Sequence, residues 1–115
     1  RDVSPPVAEI RAAGVKIAIA TDMNPGSSPV DDIWSCATLA CLTMGLTVEE
    51  ALLGITRNGA LALGRKDLGV IKVGASADIA LFRPYREEEA DASTFVQYLS
   101  GPKAERVVCG GKVIL

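Results

Sequence analysis

Apolar positions along the chain fall into two regimes. Up to about residue 66 they run at helical spacing or as short continuous blocks; beyond it they come in short stretches punctuated by glycine. Ser4-Pro5-Pro6 predicts a helix start, with Ser4 as cap and proline in the first turn. Val7, Ile10 and Arg11 continue at helical spacing, and Gly14 suits the position just past a helix end. Residues 15–20 (VKIAIA) are apolar apart from Lys16 and predict a buried strand. A polar loop, TDMNPGSS over residues 21–28, follows at once. Ser28-Pro29 then predicts a second helix start, with Asp31 and Asp32 favouring its positive end. Ile33, Ala37, Ala40, Cys41 and Met44 share one face of that helix. Trp34, Leu39 and Leu42 make its other faces apolar too, so burial nearly all round is expected, ending at Gly45.

Thr47-Val48-Glu49-Glu50 has the T-x-x-E spacing of a capping box. The helix it opens is expected to reach about Arg57. Asn58-Gly59 should interrupt it, with a short further turn over 60–63 closed by Gly64. Residues 70–72 and 78–82 read as short strands, and 83–91 as a charged, solvated connector. Residues 93–99 predict a short helix with Phe95, Tyr98 and Leu99 inward. Residues 105–108 and 112–115 flank Cys109-Gly110-Gly111 as a tight hairpin.

Strand, polar loop, helix is the order of a βα unit, and in a parallel α/β fold chemistry sits where the loop leaves the strand. A lone strand leaves its ladder groups unpaired, so one such unit cannot complete a sheet. Partner strands are expected from another chain or from a missing part of this one. The 115 residues match one domain, and 49% hydrophobic residues can build a core. The net charge of −2 and few aromatics argue against a nucleic-acid partner. No apolar stretch reaches the roughly 20 residues of a membrane span. Three cysteines without C-x-x-C spacing fit reduced thiols in a cytoplasm, with Cys36 and Cys41 as core residues.

The chain contains no histidine, so a mechanism that needs a histidine ligand or base must borrow it from elsewhere. The 21–28 loop nevertheless gathers Asp22, Asn24, Gly26 and Ser27 within a few positions. Asp22 is the first catalytic candidate; its bland alternative is a turn-forming or capping carboxylate. Gly26 would let backbone approach a ligand. Backbone N–H groups ahead of a helix favour an anion. Asn24 offers donor and acceptor, and Ser27 a hydroxyl. A plain Asn-Pro-Gly turn explains the same residues without a ligand. Asp78 reads as a structural turn residue, Arg57 and Asn58 as a helix junction, and Thr21 as an orienting group.

TDMNPGSSPV, LTVEEALLGITRNGALALG and LGVIKVGASADIALF resemble the C-terminal part of the imidazolonepropionases, within the metal-dependent amidohydrolase superfamily. The G-x-I-x-x-G-x-x-A-D pattern of residues 69–78 is shared across that superfamily, whereas the TD-x-NPGS loop is more particular. The resemblance implies a C-terminal fragment of a (β/α)8 TIM-like barrel, α/β in class. Residues 1–66 would be the last part of the barrel, with strand eight at about 15–21. Residues 67–115 would be part of a small β-sandwich. It further implies a hydrolase opening a cyclic amide, 4-imidazolone-5-propanoate, to N-formimidoyl-glutamate. Asp22 would bind a divalent zinc or iron and move the proton of its water. Asn24, Gly26 and Ser27 would hold the small-molecule substrate. The histidine ligands would lie in the N-terminal part of the barrel, a homodimer is a candidate assembly, and this segment alone is expected to be inactive. The readings weighed beside it are another amidohydrolase, of deaminase or dihydroorotase type, and a non-catalytic structural fragment.

Overall fold

The structure, a computed structural model, describes residues 4–84 and 91–115. Its elements in order are four helices, a strand, a 3₁₀ turn and two further strands.

Helix α1 spans Val7–Ala12 and buries Val7. Its N-cap is Pro6 and no side chain caps it, so Ser4 does not take the capping role expected of it. Proline lacks the N–H that a cap would have to satisfy, which removes part of the need. Gly14 follows the C-cap Ala13 with φ +67°, as its position predicts.

Residues 15–20 do not form a ladder strand, and they are exposed or half-buried rather than buried. The expected strand lacks a partner among the described residues, and a strand is defined by its partner. Its period of two survives: Ile17 and Ile19 are half-buried while Lys16, Ala18 and Ala20 are exposed. Ile19 packs against both core clusters, one of Val7, Ala40 and Leu46, the other of Ala37, Ala51 and Val96. Two bonds anchor the segment: Ile19 N–H donates to the Gly54 carbonyl (3.1 Å), and Asn58 Nδ2 donates to the Ile17 carbonyl (2.9 Å). Gly54 makes room for Ile19: a Cβ there would sit 2.9 Å from Ile19 Cδ1, so the side chain would have to shift.

Helix α2 spans Ile33–Met44, later than the Ser28 start predicted. Asp32 is its cap, accepting from Trp34 N–H (3.3 Å) and Ser35 N–H (2.7 Å), while Ser28 Oγ donates to the Thr21 carbonyl (2.7 Å). Ser28 therefore ties the preceding loop to itself instead of opening the helix. Gly45 ends α2 in the left-handed region at φ +74°. Burial all round does not hold, for Leu42 is 72% and Met44 42% exposed. Residues 33–41 are buried or half-buried, and exposure is confined to the last turn, 42–44.

Helix α3, Val48–Ile55, has the capping box in both directions: Glu50 N–H donates to Thr47 Oγ1, and Thr47 N–H to Glu50 Oε2. The helix stops two residues short of Arg57. Thr56, at φ −122° and ψ −98°, makes the break, and Asn58-Gly59 lies inside the next helix, α4, Arg57–Ala62. The break is where Gly69 presses on the chain; a Cβ on Gly69 would sit 2.7 Å from Arg57 and Thr56 backbone atoms.

The sheet is an antiparallel meander of β1 (Ile79–Phe82), β2 (Ala104–Cys109) and β3 (Lys112–Val113). Ile79 pairs with Val108, and Cys109 with Lys112 across the predicted Gly110-Gly111 turn. Both glycines have positive φ (+54° and +80°), as a two-residue hairpin turn demands. Asp78 holds this turn, accepting from Gly110 N–H (2.7 Å) and Ser76 Oγ (2.7 Å). Residues 70–72 are not a strand. Local closures replace a ladder there, Ala75 N–H to the Lys72 carbonyl and Ser76 N–H to the Asp67 carbonyl. The expected 93–99 helix is a 3₁₀ turn over Ala92–Val96; Thr94 and Val96 are buried, but Tyr98 and Leu99 face outward at 42% and 55% exposure. It is their carbonyls that turn inward, accepting from Thr38 Oγ1 and Ser35 Oγ on α2. Most of the predicted 83–91 connector lies outside the described residues. Trp34 joins helix to sheet, with its ring 5.1 Å from Phe82 edge-on and 5.8 Å from Phe95.

Candidate active-site loop

The loop that begins at Thr21 closes on itself. Asn24 N–H donates to the Ser28 carbonyl at 2.9 Å, giving a short antiparallel bridge between Asn24 and Ser28. Proline at 25 and glycine at 26 occupy the turn between them. The Asn24 side chain fills the interior of this turn. Its Oδ1 accepts from Gly26 N–H (2.9 Å), Ser27 N–H (2.8 Å) and Ser27 Oγ (3.2 Å). Its Nδ2 donates to the Asp22 carbonyl (2.8 Å). Asn24 thus shapes the loop, and the Gly26 and Ser27 amides face its oxygen instead of standing open to an anion. Gly26 is not needed for its dihedral, since its φ is not positive. A Cβ there would lie 3.3 Å from Asn24 Oδ1.

The N-terminus of α2 is closed to anions as well, because Asp32 fills it with a carboxylate. Burial pushes the Asp32 carboxyl up, but hydrogen bonds from Ser35 and Trp34 outweigh burial and hold it below its ordinary value.

Asp22 stands apart. It is the single non-glycine residue with positive φ (+48°) among the described residues. It is exposed, and its carboxylate makes no hydrogen bond or ion pair to another described residue. Along the chain it has the same parity as Ala18 and Ala20, the exposed positions, and opposite parity to Ile17 and Ile19. An apolar cleft of about 410 Å³ reaches Ala20, Thr21, Ser28 and Val30 without including Asp22. No group of three His, Cys, Asp or Glu that could hold a metal exists among the described residues. A catalytic zinc takes three protein ligands, so one carboxylate does not fit a complete metal site. The remaining donors have no counterpart among the described residues.

The profile of the Amidohydrolase family matches residues 1–114. The chain belongs to the amidohydrolase family. Within it, imidazolonepropionase of Maricaulis maris is 48% identical over 86 residues, 74% of this chain and 21% of that protein. Imidazolonepropionase of a Ruegeria species is 49% identical over 85 residues, again 74% and 21%. A crystal structure of a triazine hydrolase variant superposes with a TM-score of 0.83 at 29% identity, covering 96% of this chain and 27% of that one. The amidohydrolase segment described here therefore spans about a fifth of the length of the curated relatives it matches.

The other candidates make structural contacts within this chain. Asp78 caps the hairpin turn, as its turn reading predicts. Asn58 ties α4 to Ile17. Thr21 Oγ1 accepts from Met23 N–H at 3.4 Å. Cys36 and Cys41 are half-buried, and burial raises both thiols. No helix among the described residues is long and apolar enough to cross a membrane.

Proposed function

We propose that the protein containing this segment is an imidazolonepropionase, opening 4-imidazolone-5-propanoate with water to N-formimidoyl-glutamate. The observation that carries the reading is near-half identity to two imidazolonepropionases in a chain whose TDMNPGSS loop leaves one carboxylate unpartnered. Residues 15–21 would be the eighth strand of a (β/α)8 barrel, whose other strands supply the missing ladder partners. Residues from 67 would form part of a small β-sandwich. Zinc or iron, when bound, would supply an activated water; Asp22 would be this segment's donor, the other ligands coming from outside it. Three free cysteines agree with a reducing cytoplasm.

The Asp22 carboxylate would take a proton from the attacking water and deliver it to the departing ring nitrogen. Its lack of a competing partner leaves both oxygens available for this. Asn24, Gly26 and Ser27 would line the substrate side of the loop. Asn24 acts there chiefly by fixing the loop, and Ser27 keeps lone pairs to accept from a ligand N–H.

The test is turnover by the complete natural chain. Ring opening of imidazolonepropionate, followed by loss of its absorbance and appearance of the formimidoyl product, is expected. The likeness to a triazine hydrolase structure over 96% of the chain favours, as second reading, an amidohydrolase acting on another nitrogen ring. Turnover of a triazine or pyrimidine ring with none of imidazolonepropionate would establish that second reading instead.

A further inference from the structure

Four cations contributed by three separate stretches converge on one cleft. It has a volume of about 360 Å³ and is lined by Lys16, Arg57, Leu61, Lys66, Val70 and Lys72. Lys16 opens the 15–20 segment, Arg57 begins α4, and Lys66 and Lys72 lie in the loop between α4 and β1. No acidic residue lines the cleft. The nearby Asp67 is engaged by Arg65 through two bonds, 2.9 Å from Nε and 2.7 Å from Nη2. None of the four cations makes a hydrogen bond or ion pair to another described residue. Four like charges gathered in a chain of net charge −2 repel one another, and neutralisation by a bound anion relieves the repulsion.

We propose that this cleft is a binding site for a small, multiply charged oxyanion of the phosphate class. The Arg57 guanidinium supplies a planar fork matched to two oxygens, and the three ammonium groups supply point charges around it. A monocarboxylate would leave most of the positive charge unbalanced, whereas phosphate or pyrophosphate offsets two or more charges at once. The lining of this cleft includes no residue of the TDMNPGSS loop. Arg57 sits at the α3–α4 break, where Gly69 meets the chain, so a bound anion would clasp that break to the loop that follows it and to the 15–20 segment.

The experiment uses the complete natural chain and titrates it with inorganic phosphate, pyrophosphate and succinate by calorimetry at fixed ionic strength. Saturable binding in the order pyrophosphate, phosphate, succinate is expected, with a rise in melting temperature. The Lys16→Gln/Lys66→Gln double variant should weaken pyrophosphate binding at least about tenfold, since each charged hydrogen bond lost is worth that order. Lys16→Arg/Lys66→Arg should retain binding, which separates loss of charge from loss of fold. Absence of saturable pyrophosphate binding would overturn the proposal, as would equal affinity in the Gln double variant. So would a fall in melting temperature of the Gln double variant without added anion, because acidic side chains from elsewhere in the chain would then already fill the cleft.

Discussion

Asp22 adopts φ +48°, a conformation that costs most residues about 1–2 kcal/mol and that Asp and Asn tolerate best. Asp22→Asn in the complete chain should therefore leave the melting temperature unchanged. It should lower kcat by about 10²–10⁴-fold, the range typical of a lost proton-transfer group. Metal content measured on the same preparation should fall with it; full metal occupancy with normal turnover would refute the role. Asn24→Ala tests a different function. It deletes the acceptor of three hydrogen bonds and a donor to the Asp22 carbonyl, so the loop should loosen. A stability loss of about 1–2 kcal/mol is expected, together with reduced turnover, because several bonds worth about 1 kcal/mol each are lost together and water replaces them in part in this exposed turn. Ser27→Ala removes one of those bonds and should raise KM with metal content unchanged. Residue type and spacing singled out Asp22 and Asn24 as the loop's candidates. That Asn24 points into the turn was not legible from them, because an amide can serve loop or ligand equally and only the closed bridge to Ser28 decides.

Helix α3 starts where its sequence says, because a capping box is a local device of four residues. Glu50 has a second partner 39 positions away: Arg11 donates to it from Nε (2.6 Å) and Nη2 (2.7 Å), and also reaches the Gly45 carbonyl (2.9 Å). The Arg11 hydrogen bond, then the Thr47 backbone N–H, hold the Glu50 carboxyl down at about 2. A carboxyl lowered on folding stabilises the fold above its unfolded value near 4.5, and loses that contribution as pH falls toward 2. Glu50→Gln keeps an acceptor for Thr47 but loses the charge. Denaturant unfolding at pH 7 and pH 3 should show a smaller acid destabilisation in the variant than in the parent, and at pH 7 a cost of at most about 1 kcal/mol for so exposed a pair. The helix ends were less legible than the starts. Thr56 breaks the chain because Gly69, thirteen residues on, presses against it, and no local pattern announces a distant contact.

At the scale of the whole molecule, Gly101 decides how the later part of the chain meets α2. It is buried at φ +55°, and a Cβ would sit 2.5 Å from Trp34 Cβ. Gly101→Ala in the complete chain should lower stability by about 2–3 kcal/mol, from overpacking and left-handed strain together. Melting temperature checks it, and the near-UV circular dichroism to which Trp34 contributes should change. The purified 115-residue segment is expected to show no turnover of imidazolonepropionate even with added zinc, since it offers one donor and no histidine. Measurable activity of that segment would contradict the division of labour proposed here.

Local chemistry determined the capping box at Thr47–Glu50, the Gly45 and Gly64 stops, the Gly110-Gly111 hairpin and the placing of Asp22 after an apolar run. Each depends on residues within a few positions of one another, so the chain alone carries the instruction. Tertiary contacts decided the rest. Residues 15–20 have the composition of a buried strand, yet a strand exists only through the backbone it pairs with, and that backbone is not among the described residues. Leu42 and Met44 are apolar but exposed for the same reason, because burial belongs to a neighbour and not to a side chain. The basic cleft of Lys16, Arg57, Lys66 and Lys72 was invisible as a pattern, since its charges are scattered over 57 positions and meet only when the α3–α4 break folds back on the loop that follows.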